Sequence, residues 1–493
     1  MSEEEKDQLE ELPEDGLQDQ ISITQHRVTI DEQEIRYTVT AGTIVLKEEQ
    51  EKDSKSDGEK AKASVFFVAY TLDDVGDISK RPITFSFNGG PGSSSVWLHL
   101  GVLGPRCVET DQQGNLLQPP YRLVENQYSM LDQTDLVFID PVSTGFSRVV
   151  QGEDAKQFHG FKKDIESIGD FIRLYTTRYQ RWISPKFLIG ESYGTTRAAG
   201  LSGYLQERHG LYLNGIMLIS SVLDFQTIRF MSGNDLPYAL YLPSFTATAW
   251  YHSLLDESLQ ADLHRTLQEV EAFAFGEYTV ALMKGTGLPE GERQVITRKL
   301  ARYTGLPIDY IERTDLRVNI MRFCKELLRH QGKTVGRFDS RFTGLDRDSA
   351  GERFEYDPSY ANILGPYTAT LNDYLRSQLK FESDLAYEIL TDRVHPWNYD
   401  THQNQYVNVT DTLRKAMTTN PYLKMFVASG YYDLATPYMA TRYTFNHLGL
   451  DKSLRKNVSM SFYEAGHMMY VHRQSLIQLK EDLAGFMQLA KPV

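Results

Sequence analysis

The sequence predicts an α/β fold in which helices cover both faces of a mostly parallel central sheet, and a largely helical cap is inserted into the sheet domain. Two observations predict it. Short apolar runs, typical of strands buried on both faces, alternate with longer amphipathic segments of helical period. The interval from residue 219 to residue 425 is too long for one crossover between strands, and it contains helix-like sequence, notably at residues 253–275 and 320–330.

Composition argues against several classes of protein. The chain has 493 residues, of which 41% are apolar and 24% charged, as expected of a globular enzyme. Its formal net charge of −14 argues against a general surface for nucleic acid or anionic membrane, since both attract clustered Lys and Arg. No run approaches the roughly 18 apolar residues of a membrane span. We therefore expect no nucleic acid and no membrane as partners, and a homo-oligomer stays open.

The cysteines and the N-terminus predict a cytoplasmic location. Cys107 and Cys324 are the two cysteines of the chain, so at most one disulfide can form, which fits a reducing compartment. Residues 1–20 are acidic and lack the basic-then-apolar order of a secretory signal.

The region before residue 83 predicts a flexible start and an antiparallel edge of the sheet. Residues 1–20 and the polar stretch 47–62 lack apolar periodicity, so each is expected to be mobile or an exposed hairpin loop. Residues 27–45 and 64–72 carry β-branched and aromatic residues in partly alternating order, which is typical of antiparallel strands.

From residue 83 onward the pattern indicates parallel strands connected by helices. The expected strands are residues 83–87, 136–139, 187–189, 216–219 and 425–428, and the expected crossover helices include 163–179 and 195–208. We therefore divide the chain into an acidic, flexible N-terminus (1–20), a catalytic domain in two parts (21–225 and 386–493) and an inserted cap (226–385).

Residues 190–194 have the sequence Gly-Glu-Ser-Tyr-Gly and lie between an expected strand and an expected helix. Small residues two places either side of Ser192 allow the sharp strand-to-helix turn, or nucleophile elbow, that exposes a Ser hydroxyl above the sheet. The pattern predicts Ser192 as a nucleophile and narrows the fold class to the α/β-hydrolase fold.

A Ser hydroxyl becomes a nucleophile when a base takes its proton, and an acid must orient that base. In this fold the acid precedes the base, and both follow the nucleophile. Asp433 follows the expected strand 425–428, and His467 follows an alternating stretch at 458–462 that is typical of a further strand. His447 and His472 do not follow a strand so directly. We predict a triad of Ser192, Asp433 and His467.

Acyl transfer also requires hydrogen-bond donors for the oxyanion of the tetrahedral intermediate. The amide of Tyr193, directly after the nucleophile, is the first expected donor. The loop at residues 88–92, Asn-Gly-Gly-Pro-Gly, follows an expected strand, and its glycines let backbone amides approach a ligand closely. Gly90 or Gly89 is the expected second donor.

No metal or other cofactor is expected. The sequence has no His-Glu-x-x-His pattern, no paired cysteine cluster and no phosphate-binding loop, and the predicted triad supplies its own nucleophile.

Four separated motifs resemble the serine carboxypeptidase family of α/β-hydrolases. They are Asn-Gly-Gly-Pro-Gly-Ser-Ser-Ser at 88–95 with Gly-Pro at 104–105, Asp-Pro-Val-Ser-Thr-Gly-Phe-Ser at 140–147, Gly-Glu-Ser-Tyr-Gly at 190–194, and Ala-Gly-His-Met at 465–468. The resemblance implies a serine-type carboxypeptidase, an exopeptidase that hydrolyses C-terminal residues from peptide substrates through an acyl-enzyme and favours acidic pH.

The resemblance also implies two substrate-binding residues. Asn88 and Glu191 would hold the terminal carboxylate of the peptide. Two bare carboxylates at hydrogen-bond distance repel each other, so Glu191 must be protonated to donate, which explains the preference for acidic pH.

Several positions depart from the family pattern. Ser86 stands where Trp is usual and Val102 where a second Glu is usual, so half of the expected carboxylate clamp is missing. Ser93 replaces the usual Cys, and Ser-Ser-Val at 220–222 replaces Gly-Asn-Gly. The missing Glu leaves an esterase or acyltransferase open as an alternative. A catalytically silent binding protein is a further alternative, which the complete catalytic set disfavours.

Two features of the predicted cap have a functional and a structural interpretation. Arg337 and Arg341 offer cations for a carboxylate, but pairing with a nearby Asp is the favoured expectation. The aromatic stretches 238–241 and 250–251 are expected to belong to the core of the cap rather than to a substrate pocket.

Overall fold

The computed structural model describes residues 18–52 and 55–491, so most of the acidic N-terminus expected to be flexible (1–20) lies outside the described residues. The strands are β1 (Ile21–Ile30), β2 (Gln33–Lys52), β3 (Lys55–Leu72), β4 (Ile83–Phe87), β5 (Arg106–Val108), β6 (Leu123–Glu125), β7 (Asp135–Ile139), β8 (Arg148–Val149), β9 (Lys186–Glu191), β10 (Gly215–Ile219), β11 (Lys333–Val335), β12 (Thr343–Leu345), β13 (Lys424–Gly430) and β14 (Val458–Tyr463). The helices are α1 (Val96–Leu98), α2 (Phe161–Arg178), α3 (Tyr193–His209), α4 (Leu236–Tyr251), α5 (Glu257–Gln260), α6 (Leu263–Phe273), α7 (Thr279–Lys284), α8 (Glu290–Thr304), α9 (Ile308–Arg313), α10 (Ile320–Glu326), α11 (Pro358–Asp373), α12 (Thr410–Thr419), α13 (Tyr438–Asn446) and α14 (Arg473–Ala490).

A ten-stranded sheet organises the described part of the chain. Its order is β1-β2-β3-β7-β4-β9-β10-β13-β14, with β8 paired to β3. Neighbours from β7 to β14 run parallel, while β1, β2 and β3 run antiparallel to one another and β3 runs antiparallel to β7. The loops after β4, β9, β10, β13 and β14 therefore emerge at one edge, where open α/β sheets bind ligands. The predicted fold class is confirmed.

The parallel strands are apolar on both faces because helices cover both. In β9, Leu188 packs in a core with α2, α3 and α12, while its neighbours Phe187 and Ile189 face a second core that contains α14 and α11. Successive side chains of a strand point to opposite faces, so a continuous apolar run supplies both cores.

The segment between β10 and β13 contains two differently packed parts. Helices α4 to α10 share an apolar core with the loop after β13 and with α13. Helix α11 lies in the same segment, but its residues Ile363, Tyr367 and Leu371 belong to the sheet core. The insertion thus packs on the sheet through α11, near its C-terminal end, and on the loop after β13 through helices α4 to α10.

The polar stretch 47–62 differs from the loop that its composition suggested. Strand β2 continues to Lys52 and β3 begins at Lys55, with residues paired beyond a register shift at Leu46 and Lys47. The reason is that a strand ladder is made by backbone groups, which pair without an apolar face. The lack of alternation in this stretch therefore did not mean the lack of a strand.

Candidate active site

Ser192 lies between β9 and α3 in a backbone conformation that non-Gly residues rarely adopt. Its φ is 59° and its ψ is −128°. The flanking glycines are required by close contacts: a Cβ on Gly190 would lie 2.2 Å from the carbonyl oxygen of Gly194, and one on Gly194 would lie 2.8 Å from that of Phe87. The turn therefore has the geometry expected of a nucleophile elbow.

Asp433 and His467 form a buried pair on the loops after β13 and β14. The Asp433 Oδ2 atom lies 2.8 Å from His467 Nδ1. The amides of Ala435 and Thr436 donate to Asp433 Oδ1 at 2.7 and 3.0 Å, and the Thr436 hydroxyl donates to Oδ2 at 2.7 Å. These donors fix the orientation of the carboxylate, which in turn orients the imidazole.

The environment of His467 favours its uptake of a proton. Burial disfavours the imidazolium, but the Asp433 carboxylate outweighs burial, so the pKa of His467 is raised. The His467 backbone is anchored as well: its amide donates to the carbonyl of Phe338 at 2.6 Å, and its carbonyl accepts from the Ser220 hydroxyl at 2.6 Å. Ser220 lies in the segment that departs from the family pattern.

The rival histidines lie elsewhere. His447 is exposed, and its Nδ1 atom lies 2.8 Å from the carbonyl oxygen of Tyr443 on its own helix. His472 pairs with Ser475 at the start of α14. Of the three histidines considered, the structure places His467 against the Asp433 carboxylate.

Gly89, Gly90 and Tyr193 come together where the glycine loop meets the elbow. A Cβ on Gly89 would lie 2.4 Å from the backbone nitrogen of Tyr193, and Gly90 has a φ of +99°, so both positions require glycine. Tyr193 is the first residue of α3, and the first amides of a helix have no intrahelical acceptor. This arrangement can supply amide donors beside Ser192.

Asn88 and Glu191 touch each other in the cleft. Asn88 Nδ2 donates to Glu191 Oε1 at 2.9 Å, and the Tyr470 hydroxyl donates to Oε2 at 2.6 Å. Burial raises the pKa of Glu191 to about 7. Val102, where the family pattern has a second Glu, is buried in the sheet core. The second partner of the Glu191 carboxyl is therefore Tyr470, which the motifs did not indicate.

A single cleft of about 360 Å³ unites the predicted site. It is lined by Ser192, His467, Gly89, Gly90, Tyr193, Asn88 and Glu191, while Asp433 lies behind His467 with none of its surface exposed. Sequence positions that are far apart thus meet at the carboxyl edge of β4, β9 and β14.

A buried ion pair that the sequence analysis missed holds the glycine loop against the elbow. Arg197 on α3 donates to both carboxylate oxygens of Asp164, at 2.8 and 3.0 Å, and to the backbone carbonyl of Asn88 at 2.5 Å. Its guanidinium also lies over the rings of Phe87 and Tyr193. The sequence feature that could have indicated this ion pair is Arg197 itself, a charged residue within a run of small residues directly after the elbow.

The two cap arginines have different surroundings. Arg341 pairs with Asp339 at 2.7 Å, and Asp339 also accepts from the amide of Gly466, so this pair supports the loop of His467. Arg337 lines the cleft, with its guanidinium 4.4 Å from the ring centre of Phe338. The aromatic stretch 238–241 and residue 250 lie in or against the cap core, while the ring of residue 251 meets that of Tyr432 edge to face.

Cys107 and Cys324 are both buried and unpaired. In the described ranges 18–52 and 55–491, no group of three or more His, Cys, Asp or Glu side chains is arranged to hold a metal ion. The same part of the chain contains no helix both long and apolar enough to cross a membrane.

A Ser on a strained strand-to-helix turn, an adjoining Asp and His pair and a glycine loop define a serine hydrolase of the α/β-hydrolase fold. The chain belongs to the serine carboxypeptidase family: the model of that family, Peptidase_S10, matches residues 47–488. The resemblance seen in the four motifs is confirmed.

Several known proteins are similar to this chain. Pheromone-processing carboxypeptidase KEX1 of Saccharomyces cerevisiae is 33% identical over 161 residues, which cover 31% of this chain and 20% of the yeast protein. Serine carboxypeptidase-like 34 of Arabidopsis thaliana is 26% identical over 197 residues, 38% of this chain and 35% of the plant protein. A crystal structure of the yeast Kex1 protein, a prohormone-processing carboxypeptidase, shares the fold with a TM-score of 0.55 and 17% identity, covering 92% of this chain and 91% of that one.

Proposed function

We propose that this chain is a serine-type carboxypeptidase that hydrolyses C-terminal residues from peptides through an acyl-enzyme on Ser192. The observation that carries the proposal is the buried contact between Asn88 and Glu191 in the cleft, with Glu191 directly preceding Ser192. A neutral carboxyl beside an amide is a site for a carboxylate, and both residues line the same cleft as the nucleophile, as a peptide bound by its last residue requires.

In the acylation step, His467 takes the proton of the Ser192 hydroxyl while Ser192 Oγ attacks the carbonyl carbon of the last peptide bond. Asp433 holds the imidazole and stabilises the imidazolium that forms. The imidazolium then gives its proton to the leaving amine, and the C-terminal residue departs. Water attacks the acyl-enzyme by the same route and regenerates Ser192.

The oxyanion of each tetrahedral intermediate lies at the contact between the glycine loop and the elbow. The amide of Tyr193 and the amide of Gly90 or Gly89 donate to it. Because the close approach at Gly89 positions these amides before substrate arrives, they need no rearrangement when charge develops.

Glu191 sets the pH range in which the terminal carboxylate binds. Its pKa of about 7 keeps most of the carboxyl protonated at pH 5, so it can donate to the substrate. Above pH 7 it ionises and repels the substrate carboxylate. Peptide cleavage is therefore expected to fall as the pH rises through about 7, whereas substrates without a free carboxylate escape this loss.

One observation favours a second candidate, an esterase or acyltransferase. Val102 is apolar and buried, so the clamp lacks the second carboxyl usual in the family. With a weaker hold on a terminal carboxylate, the same acyl-enzyme chemistry would act on other acyl donors.

The test is mass-spectrometric cleavage of a mixed peptide library at pH 5 and pH 7, each peptide supplied with a free and an amidated C-terminus. We expect stepwise loss of C-terminal residues from free termini, and none with Ser192→Ala. Ser202→Ala, on the same helix with its hydroxyl bonded to the carbonyl of Ala199, is the matched control and should retain activity. Hydrolysis of simple esters dependent on Ser192, without any peptide cleavage, would replace the carboxypeptidase by the second candidate.

A further inference from the structure

A second, larger cavity opens directly beside the active-site cleft. It measures about 840 Å³ and shares Phe225, Ile228 and Arg229 with the cleft. Its other walls come from the start of α10 at residues 319–322, from residues 352–353 and from the segment 399–407. Because the two cavities adjoin, a molecule bound in the cleft can extend directly into the second cavity.

The strand order gives the direction in which a peptide would extend. Ser192 follows β9, the glycine loop with Asn88 follows the neighbouring strand β4, and Phe225 to Arg229 follow β10 on the opposite side. A peptide whose terminal carboxylate lies at Asn88 and Glu191 passes over Ser192 toward β10. The residues that precede the scissile bond thus point to the second cavity.

This cavity is cationic although the chain as a whole carries a net charge of −14. Arg229, Arg322 and Arg353 line it together with one carboxylate, Glu352. The Glu352 Oε2 atom lies 3.1 Å from Arg322 Nε, so this carboxylate offsets the charge of Arg322. Arg229 and Arg353 are exposed, and among the described residues neither has a carboxylate oxygen within 4.0 Å.

The charge excess is larger in the second cavity than in the cleft. The cleft contains Arg337 and the shared Arg229, but it also contains the carboxyl groups of Asp392 and Glu191. Aromatic and aliphatic side chains form the remaining wall of the second cavity, including Phe230, Met231 and Met321. Such a wall can accept the carbon stems of side chains. The guanidinium groups of Arg229 and Arg353, which have no carboxylate partner among the described residues, can then bind carboxylates at the ends of those side chains.

We propose that the second cavity binds acidic residues that precede the scissile bond, so that the preferred substrates are peptides with Asp or Glu at the second to fourth positions from the C-terminus. The inference rests on the proposed carboxypeptidase function and adds its substrate class. Arg229, shared by both cavities, contacts the acidic residue nearest the bond, and Arg353 contacts one further along.

The test compares peptide pairs that differ only by Glu or Gln at those three positions. For the wild-type protein we expect kcat/KM to be roughly tenfold higher with Glu at low salt, the effect of two partly exposed charge pairs. The preference should shrink in 0.5 M salt, because exposed charges are screened. In Arg229→Gln/Arg353→Gln the ratio between the two peptides should approach one. Arg298→Gln, which changes an exposed Arg that lines neither cavity, should keep the wild-type ratio.

A binding measurement separates this inference from the proposed function. Affinities of the same peptides for Ser192→Ala should show the same preference for Glu without any cleavage. Equal cleavage of Glu and Gln peptides by the wild-type protein, or a preference that survives the double substitution, would overturn the inference and leave the carboxypeptidase intact. Absence of cleavage of every peptide would overturn the proposed function and, with it, the assignment of the cavity to a peptide substrate.

Discussion

The two sides of Ser192 are built differently. On the β4 side, Asn88, Glu191 and Tyr470 are buried and bonded to one another, and Arg197 fixes the loop beneath them. On the β10 side, the walls of the second cavity include exposed residues of the cap and of loops, such as Arg229 and Arg353. On the buried side, Asn88 and Glu191 lie in the family motifs, whereas Tyr470 and Arg197 lie outside them. No residue lining the second cavity lies in one of those motifs. The groups that we propose for catalysis are thus held by buried bonds, whereas the arginines that we propose for substrate choice can change without disturbing those bonds.

The largest effect on the buried side should come from Asp433→Asn. The amide preserves the shape of the carboxylate but favours the wrong tautomer of His467, so kcat on peptides should fall by roughly 10⁴-fold. Circular dichroism should show an unchanged fold. Asp411→Asn, at an exposed carboxylate on α12, serves as control and should retain full activity. A loss below tenfold would show that the Asp433 contact does not orient the base.

Arg197→Met should cost the most stability. It leaves Asp164 buried without its cation, and breaking such a pair costs roughly 3–5 kcal/mol of unfolding free energy, measurable by urea titration. Burial already raises the pKa of Asp164, so its protonation relieves the buried charge. The loss should therefore be smaller at pH 5 than at pH 7.5. Arg298→Met, at the surface of α8, should change stability by less than about 0.5 kcal/mol. An equally small loss of unfolding free energy for Arg197→Met would contradict the inference that Arg197 holds the glycine loop against the elbow.

Tyr470→Phe should give the smallest effect, a change in pH dependence. The hydroxyl of Tyr470 stabilises the Glu191 anion, so its removal raises the pKa of Glu191 further above its ordinary value. Neutral Glu191 then persists to higher pH, and the alkaline fall of kcat/KM should move upward by about one pH unit or less.

Glu191→Gln is the reference for that experiment. An amide cannot ionise, so the ratio of activity at pH 8 to activity at pH 5 should rise roughly tenfold relative to wild type. A pH profile identical for wild type, Tyr470→Phe and Glu191→Gln would show that another group causes the alkaline fall.

Much of the fold could be predicted because local patterns determine it. The apolar run at residues 83–87 coincides with β4, and the small residues around Ser192 are required by the turn that they form. The fold and the family are confirmed, and the predicted triad residues lie together. The extent of the hairpin of β2 and β3 was missed, since its outer part is held by backbone pairing that side-chain alternation does not report.

The remaining features of the site depend on contacts between distant segments. Tyr470 reaches Glu191 across 279 sequence positions, and Arg197 meets Asp164 across 33. The second cavity joins residues near 229, 322 and 353 that carry no shared motif. These residues are far apart in the sequence and come together only in the folded cap. The charge and shape of the second cavity could therefore not be predicted from a local sequence pattern.

The bond from Arg197 to the carbonyl of Asn88 has a further consequence. Arg197 belongs to the helix that begins directly after Ser192, while Asn88 belongs to the glycine loop that we propose holds the terminal carboxylate of the peptide. One guanidinium thus connects the proposed anchor for the terminal carboxylate with the helix of the proposed nucleophile. In the proposed mechanism this connection limits the length of chain between the free carboxylate and the cleaved bond, so we expect peptides to be shortened one residue at a time.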